Sequence, residues 1–392
     1  MNSPNKNVNK SNISDSQSST VSRQSLLKII LSGGGTGGHI YPAIAIAEAI
    51  KKLQPNVEFL FVGAQGKMEM EKVPKAGYKI EGLWISGLQR KLTLKNLLFP
   101  IKVIASIQKA KKILKEFKPD LAIGTGGYAS GPLLKAAQGK GIPTLIQEQN
   151  SFPGKTNKWL AAKAHKICVA YDGLEKYFPA DKIINTGNPI RSDIGNSTIS
   201  KEKGAKYFGL NPVKKTVLVT GGSLGALGIN KALDGWVKLF PENDFQLIWQ
   251  VGKHYIGTAS ANTDNHVDGV EIHEFIYKMD MAYAAADVII SRAGAIAISE
   301  LSVVGKPLIL VPLPTAAEDH QTKNAMALVN HGAAILVHNS KAKNELISEV
   351  LKLLKDDALQ TKLSNNIKSF AKKDAADIIA KEALTLINTT QQ

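Results

Sequence analysis

The sequence predicts an α/β protein built from two doubly wound parallel-sheet domains that face each other across a cleft. Short apolar runs typical of buried parallel strands alternate with helical stretches along most of the chain. Each half of the chain also opens with a strand that runs directly into a glycine-rich turn and then a helix. Ligands of such sheets bind outside the carboxyl ends of the strands. We therefore expect the functional residues in the turns that line the cleft.

The 392 residues divide into four predicted segments. Residues 1–26 are rich in Asn and Ser and lack an apolar segment, which predicts a disordered tail and not a signal peptide. Residues 27–191 form the first Rossmann-like domain. Residues 192–215 form a polar linker, and residues 216–392 form the second, nucleotide-binding domain. We expect the last helix of the chain to pack back on the first domain.

The first glycine-rich turn is typical of an anion-binding site. It follows the predicted strand at residues 29–31, and five of the six residues from Gly33 to Gly38 are glycine. Glycines allow backbone N–H groups to approach a ligand closely. A helix begins directly after the turn, with Pro42 in its first turn, so the positive end of the helix dipole points at the same spot.

Further strands follow in order, and several end in glycine or polar residues. In the first domain they are predicted at residues 57–63, 121–123, 144–146, 166–170 and 183–184. In the second domain they are predicted at residues 216–220, 246–251, 270–275, 288–291, 308–311 and 334–337. The run at 166–170 contains Cys168, the single cysteine of the chain, which excludes an internal disulfide. No apolar run reaches the length of a transmembrane helix.

A nicotinamide oxidoreductase is one alternative. Gly33, Gly35 and Gly38 match the G-x-G-x-x-G fingerprint of dinucleotide-binding folds. That fingerprint also requires an acidic residue at the end of the second strand, which holds the ribose hydroxyls. Here the second strand runs into Ala64-Gln65-Gly66-Lys67, which contains no acid. The second domain offers a better nucleotide site at residues 291–300, where a strand end, a short turn and a helix start precede Glu300.

The formal charge of +16 fits partners that carry negative charge. No nucleic-acid recognition motif accompanies this charge, so we expect no nucleic-acid partner. Between Ser86 and Lys118, large apolar residues are interleaved with nine basic residues and one acid, Glu116. The basic residues are Arg90, Lys91, Lys95, Lys102, Lys109, Lys111, Lys112, Lys115 and Lys118. This mixture predicts a peripheral contact with an anionic membrane surface, and the alternative is an amphipathic helix with a solvated lysine face.

Seven motifs resemble, in the same order, those of the MurG family of N-acetylglucosaminyltransferases. They are Gly34-Gly35-Thr36-Gly37-Gly38-His39, Gly126-Gly127-Tyr128, Glu148-Gln149-Asn150, Gly187-Asn188-Pro189-Ile190-Arg191, Gly221-Gly222-Ser223, Ser299-Glu300 and Asp319-His320-Gln321-Thr322. The resemblance runs from about Leu27 to the C-terminus. It implies the GT-B fold, with two Rossmann-like doubly wound domains, and an inverting transfer without metal or cofactor.

The resemblance also implies the substrates and the location. The donor would be UDP-GlcNAc, and the acceptor would be lipid I, the undecaprenyl-diphosphate-linked muramyl pentapeptide. The product would be lipid II, in peptidoglycan synthesis. The protein would lie peripherally on the cytoplasmic side of the inner membrane, in contact with other cell-wall synthesis proteins. A UDP-GlcNAc 2-epimerase or a diacylglycerol glycosyltransferase shares this fold and donor and stays open as an alternative.

Site residues follow from the resemblance by position. The donor would be contacted by Thr36, Gly37, Gly38, Asn150, Arg191, Ser223, Ile276, Ala295, Ile296, Ala297, Ile298, Ser299, Glu300 and Gln321. Backbone near Ser223 suits phosphate, the backbone of Ile276 suits the uracil edge, and Gln321 suits sugar hydroxyls. Arg191 brings a charge to the cleft, or else forms a structural ion pair. The first domain, residues 27–191, would bind the acceptor, with Gly127 and Tyr128 in contact with it.

The catalytic base has two candidates. His39 lies on the first glycine turn, and its ordinary pKa suits proton transfer near neutral pH. Glu148 is the competing base. Each has an alternative function in acceptor binding, which for His39 means the acceptor diphosphate. A further alternative for His39 is that it only forms hydrogen bonds with the turn. No Asp-x-Asp pair occurs in the chain, so we predict no metal site.

Overall fold

The computed structural model describes residues 26–87, 98–195, 197–222, 224–237, 244–262, 267–316 and 319–390. Almost all of the tail predicted for residues 1–26 therefore lies outside the described residues. The same is true of Ser223 and of residues 88–97 in the basic stretch, which include Arg90, Lys91 and Lys95.

The first sheet has seven parallel strands in the order β3-β2-β1-β4-β5-β6-β7. The strands are β1 (Leu27–Gly33), β2 (Val57–Ala64), β3 (Lys79–Leu83), β4 (Leu121–Gly126), β5 (Thr144–Glu148), β6 (Lys166–Val169) and β7 (Ile183–Asn185). The helices that accompany them are α1 (Gly37–Leu53), α2 (Glu69–Lys75), α3 (Phe99–Phe117), α4 (Ser130–Gly139) and α5 (Lys155–Ala161). The strand order reverses direction between β1 and β4, which is the position where ligands bind to such sheets.

The second sheet repeats the plan with six parallel strands in the order β10-β9-β8-β11-β12-β13. The strands are β8 (Lys215–Thr220), β9 (Phe245–Gln250), β10 (Val270–His273), β11 (Val288–Ser291), β12 (Leu308–Leu310) and β13 (Ile335–Leu336). The helices of the second half are α6 (Ser192–Gly195), α7 (Lys201–Tyr207), α8 (Leu227–Leu233), α9 (Ile256–Asn262), α10 (Met279–Ala285), α11 (Ala295–Val304), α12 (His320–Val329), α13 (Ala342–Lys355), α14 (Asp357–Lys368) and α15 (Ala375–Thr390). Two doubly wound parallel sheets are the fold class that the sequence predicts, and that prediction is confirmed.

Both faces of the central strand β1 are buried, which explains its continuous apolar run. Ile29, Ile30 and Leu31 are fully buried. Ile30 packs in one apolar cluster and its two neighbours pack in another, because successive side chains of a strand point to opposite faces. The strand β3 was not predicted. It is an edge strand whose exposed Lys79 and Glu81 interrupt the apolar pattern.

The last helix, α15, packs against α1 of the first domain. Ile379, Ala383 and Ile387 of α15 are buried in the same apolar cluster as Ile40 and Ile50 of α1. The chain therefore passes between the two sheets twice, once after β7 and once before α15. The C-terminal helix completes the core beneath the helix that carries the first glycine turn.

Ile379→Ala should lower the free energy of unfolding by about 2–5 kcal/mol, because truncating a buried Ile leaves a cavity beside α1. Urea denaturation followed by tryptophan fluorescence measures the change. Ile378→Ala is the matched control on the same helix, because Ile378 is only half buried. Equal losses in the two variants would contradict the packing of one face of α15 on α1.

Candidate active site

Two glycine turns meet at the switch point of the first sheet. The N–H of Gly34, after β1, donates to the carbonyl of Gly126, at the end of β4, at 3.3 Å. A Cβ atom at Gly127 would lie 2.2 Å from the carbonyl oxygen of Gly34, and Gly127 has a φ of +89°. The close approach and the left-handed conformation both require glycine. The contact brings the two turns to one point in the cleft.

A buried carboxylate holds the first turn from the sheet side. Glu69 is fully buried, and its two oxygens accept the N–H groups of Gly35 and Ala64, each at 2.9 Å. A Cβ atom at Gly34 would lie 2.2 Å from the Glu69 carboxylate. The sequence analysis missed Glu69, since no motif marks it and it lies 34 residues from the glycine that it holds.

The first helix begins without a side-chain cap. Thr36 is the N-cap residue of α1, and its side chain makes no cap hydrogen bond. The first N–H groups of a helix have no intrahelical partner. Those of Gly37 and Gly38 therefore remain available to a ligand, and both residues are partly exposed. This is the anion-binding geometry that the glycine pattern predicts.

His39 is held through one ring nitrogen. Its Nδ1 lies 3.0 Å from the carbonyl oxygen of Thr125 and 3.0 Å from Oε1 of Gln149. A carbonyl oxygen can only accept, so Nδ1 carries the proton and donates. The neutral ring then has its lone pair on Nε2. Because the side chain is partly exposed, this nitrogen is suited to accept a proton from a ligand in the cleft.

Glu148, the competing base, is buried and fully occupied with hydrogen bonds. Its Oε1 accepts the backbone N–H of Asn150 at 3.0 Å and the side-chain amide of Asn150 at 3.2 Å. Its Oε2 accepts the N–H of Gly154 at 3.1 Å and the side-chain amide of Asn157 at 2.9 Å. Four donors satisfy the carboxylate, and only 1% of the residue is exposed. This arrangement shapes the loop after β5, and with it the position of Asn150.

An ion pair joins the two domains. Nε of Arg191 lies 3.1 Å from Oε1 of Glu300 on α11, and the Tyr283 hydroxyl donates to Oε2 of Glu300 at 3.4 Å. The guanidinium also lies over the ring of Tyr41 on α1, at 5.9 Å from its centroid. Burial opposes the charge of Arg191, but the Glu300 carboxylate outweighs it and raises the pKa of Arg191. Burial raises the pKa of Glu300, and Arg191 opposes that rise.

Two uncharged contacts also cross the cleft. The side-chain amide of Asn188 donates to Oγ of Ser299 on α11 at 3.1 Å. The hydroxyl of Ser151 donates to Oδ1 of Asn324 on α12 at 3.4 Å. Together with the Arg191 ion pair, these contacts show that the carboxyl ends of the two sheets face each other.

The helix α11 presents a bare N-terminus on the second side of the cleft. Its N-cap residue, Gly294, has no side chain, so the first N–H groups of the helix have no cap partner. These groups and the helix dipole favour an anion at this end. The residues predicted to contact the donor here are Ala295, Ile296, Ala297, Ile298, Ser299 and Glu300, and they form the first two turns of α11.

A buried arginine supports the turn before α11. Nη1 of Arg292 donates to the carbonyl oxygens of Val311 and Pro312, at 2.9 and 3.1 Å, and to Oδ1 of Asn339 at 2.8 Å. Burial lowers the pKa of Arg292 to about 10, so it is still charged at neutral pH. Arg292 lies two residues before the N-cap of α11, and its three hydrogen bonds tie this turn to the segment after β12 and to Asn339.

Two further predicted donor contacts are Ile276, in the loop after β10, and Gln321, in the first turn of α12. Ile276 follows β10, but its backbone N–H already donates to Oε1 of Gln250 at 2.9 Å. A ligand at this position therefore meets the carbonyl of Ile276, and not its N–H. Gln250 also donates to the carbonyl of Gly222, at 2.9 Å, which joins this loop to the turn after β8. Oε1 of Gln321 accepts the N–H of Leu313 at 2.9 Å, which leaves its amide nitrogen for a ligand.

Tyr128 lies at the mouth of the cleft. About half of the side chain is exposed, and its ring packs next to Gly35 and Gly87. A large aromatic group therefore covers the outer side of the joined glycine turns. Within the described residues, no group of three or more His, Cys, Asp or Glu side chains is arranged to hold a metal ion.

Two facing doubly wound sheets, with bare helix N-termini on both sides of one cleft, define the architecture of a GT-B nucleotide-sugar enzyme. The family models agree with this class. Residues 29–169 match the glycosyltransferase family 28 N-terminal domain, and residues 216–380 match the glycosyltransferase family 28 C-terminal domain.

Individual relatives narrow the assignment. The chain is 54% identical over 366 residues to the UDP-N-acetylglucosamine–N-acetylmuramyl-(pentapeptide) pyrophosphoryl-undecaprenol N-acetylglucosamine transferase of Cytophaga hutchinsonii, which covers 93% of this chain and 98% of that relative. It is 51% identical to the transferase of the same name from Parabacteroides distasonis, over 92% of this chain and 98% of that relative. The crystal structure of Acinetobacter baumannii MurG matches with a TM-score of 0.69 and 27% identity, over 91% of this chain and 99% of that one. The chain therefore belongs to glycosyltransferase family 28 and, within it, to the MurG family, as the order of its motifs predicts.

Gly127→Ala should nearly abolish activity, because the new methyl group would collide with the Gly34 carbonyl and oppose the positive φ. Initial rates at saturating substrate measure the effect, and circular dichroism checks that the variant is folded. Gly139→Ala is the matched control, since a Cβ atom there meets nothing within 4 Å. A folded Gly127→Ala variant with full activity would contradict the importance of the joined turns.

Proposed function

We propose that this protein transfers N-acetylglucosamine from UDP-GlcNAc to the C4 hydroxyl of the muramyl sugar of lipid I, which yields lipid II. The observation that carries the proposal is the identity of 54% to a named transferase across nearly the full length of both chains. The geometry of the cleft supports it. A nucleotide diphosphate fits the bare N-terminus of α11, and an acceptor fits the joined glycine turns opposite.

The second domain supplies the donor contacts in this proposal. The N–H groups at the start of α11 hold the diphosphate, and the Ile276 carbonyl and the Gln321 amide bind the uracil and the sugar. Glu300 receives the ribose hydroxyls. Its carboxylate is already bound to Arg191 and Tyr283, so ribose binding must share or exchange these contacts. Donor affinity is then linked to the interdomain ion pair.

His39 acts as the general base in this mechanism. Its Nε2 takes the proton of the acceptor C4 hydroxyl while the hydroxyl oxygen attacks C1 of the GlcNAc unit. The bond from C1 to the diphosphate oxygen breaks, the configuration at C1 inverts, and UDP leaves. Negative charge develops on the leaving diphosphate, and the preorganised N–H groups of α11 stabilise it without reorganising. Glu148 keeps the Asn150 loop in place and is not the base.

The proposed reaction is tested directly with radiolabelled UDP-GlcNAc and a lipid I analogue. We expect a labelled disaccharide lipid product and a stoichiometric amount of UDP. Incubation with UDP-GlcNAc alone distinguishes the epimerase alternative, because an epimerase would form the 2-epimer without acceptor. Parallel reactions with EDTA test the predicted independence of metal.

His39→Ala should lower kcat by about 10²–10⁴-fold, because the acceptor hydroxyl loses its base. Glu148→Gln should mainly raise the KM for the donor, because an amide cannot accept all four hydrogen bonds around this position. The pH dependence of kcat/KM for both variants separates the two functions. Loss of the acid limb of the pH profile of kcat/KM in Glu148→Gln, with this limb intact in His39→Ala, would instead identify Glu148 as the base.

We also propose that the first domain binds an anionic membrane surface. Trp84, Leu98, Ile101 and Ile104 each expose 45–59% of their surface. Lys102 lies next to them, with Nζ 5.5 Å from the centre of the Trp84 ring. Exposed apolar groups beside lysines suit the headgroup layer of a bilayer. No helix in the described part of the chain meets the length and hydropathy that a membrane span requires.

The double variant Ile101→Glu/Ile104→Glu should bind anionic vesicles about a hundredfold more weakly, or worse. Each inserted Ile contributes about 1.5–3 kcal/mol, and the new charges are repelled by the lipid. Vesicle sedimentation measures the change, and turnover of a short-chain soluble acceptor should persist. The control is Val213→Glu, which changes an apolar residue that is 87% exposed and belongs to the other half of the chain. Unchanged binding of the double variant would show that the membrane contacts another face.

A further inference from the structure

A chain of buried amides connects His39 to the donor helix α11. Gln147, Gln149 and Asn188 are each at most 2% exposed. All three are uncharged, and all three lie between the proposed base and Ser299. Gln149 and Asn188 belong to motifs that the sequence analysis recognised, but neither had an assigned function.

Backbone carbonyls determine how the Gln149 amide is oriented. Its Nε2 donates to the carbonyl oxygen of Thr125 at 2.7 Å and to that of Gln147 at 3.3 Å. A backbone carbonyl only accepts, so the nitrogen of the amide must lie on this side. The oxygen of the same amide then points at Nδ1 of His39, 3.0 Å away. Gln149 and Thr125 thus offer two acceptors to Nδ1 and none of the donors that the other tautomer would need.

The same reasoning determines the orientation of Asn188. Its Nδ2 donates to the carbonyl oxygen of Gln149 at 3.1 Å, and its Oδ1 accepts Nε2 of Gln147 at 3.0 Å. The other hydrogen of Nδ2 reaches Ser299 Oγ at 3.1 Å. The Ser299 hydroxyl donates to the carbonyl of Ala295 at 3.0 Å, so its lone pair is free to accept. Each of these hydrogen bonds therefore has a defined donor and a defined acceptor.

We propose that Gln149 and Asn188 are positioning residues for the transfer. Gln149 holds His39 as the Nδ1–H tautomer with Nε2 unprotonated, and Asn188 connects this arrangement to Ser299 on the donor helix. A shift of α11 on donor binding then reaches the base through the side-chain amide of Asn188 and through Gln149, whose backbone carbonyl accepts from Asn188 and whose side-chain oxygen faces His39. This inference rests on the function proposed above, in which His39 accepts the proton of the acceptor and α11 holds the donor.

The uncharged character of Gln149 is central to this arrangement. A carboxylate at the same place would stabilise the imidazolium form, and an opposite charge at this distance shifts a pKa by about 1–3 units. The base would then be protonated, and inactive, over a wider range of pH. An amide orients the ring by hydrogen bonding without this effect.

The first test is the pH dependence of kcat/KM. Gln149→Glu should move the acid limb to higher pH by about 1–3 units, because His39 must lose its proton before it can act. Gln149→Met removes the acceptor without adding charge, and it should lower kcat without this upward shift. The control is Gln138→Glu, the same change at a half-buried glutamine whose amide donates to the carbonyl of Leu160. An unmoved acid limb in Gln149→Glu would overturn the inference.

The second test does not depend on turnover. Nitrogen-15 NMR of the histidine rings in the full-length wild-type protein should show His39 as the Nδ1–H tautomer. His39→Gln identifies its signals. Saturating UDP should shift these signals in the wild type, and the shift should disappear in Asn188→Ala. An Nε2–H tautomer, or an equal UDP shift in Asn188→Ala, would contradict the proposed function of these amides.

The two proposals can fail separately. A wild-type protein that makes no disaccharide lipid product would refute the transfer reaction, whatever the tautomer of His39. A wild-type protein that is active, with an acid limb that Gln149→Glu leaves in place, would refute only the positioning function.

Discussion

The catalytic half of the molecule depends on the close contact between the glycine turns that follow β1 and β4. The two strands are neighbours, and their pairing shifts register between Ser32 and Gly33, where the backbone leaves the sheet. At this point the carbonyl of Gly34 occupies the space that a side chain at Gly127 would fill. The contact also brings Thr125 against His39, because the Thr125 hydroxyl donates to the His39 carbonyl at 2.7 Å. The close contact of the two turns thus determines the positions of both the anion site and His39.

The groups around His39 are uncharged, whereas the contact between the two domains includes an ion pair. Around His39 the partners are amides and carbonyls, which orient the ring without stabilising its charged form. The buried carboxylates nearby, Glu69 and Glu148, are satisfied by N–H donors instead of cations. The ion pair of Arg191 with Glu300 lies where the two domains meet, and there a strong, directional contact between α11 and the first domain is useful. Different interactions therefore orient the base and hold the two domains together.

Much of the fold and part of the site could be predicted from local pattern. Apolar runs marked the central strands, since a strand covered on both faces has no polar positions. The edge strand β3 was missed because its charged residues break that pattern. Glycine turns and helix starts marked the anion sites, because an anion there is bound by backbone N–H groups of residues that are close in sequence. Glu69 could not be found in this way, since its partner Gly35 is close only in the folded sheet.

The sequence by itself determined the fold class, the family and the identities of the candidate base and its competitor. These properties depend on residue types at short spacing, which are visible without a structure. Only the tertiary structure decided how the candidates differ. Glu148 is saturated by four donors, whereas His39 keeps one ring nitrogen for a ligand. Hydrogen-bond direction depends on which groups meet in space, and Asn188 meets Ser299 across 111 residues of chain.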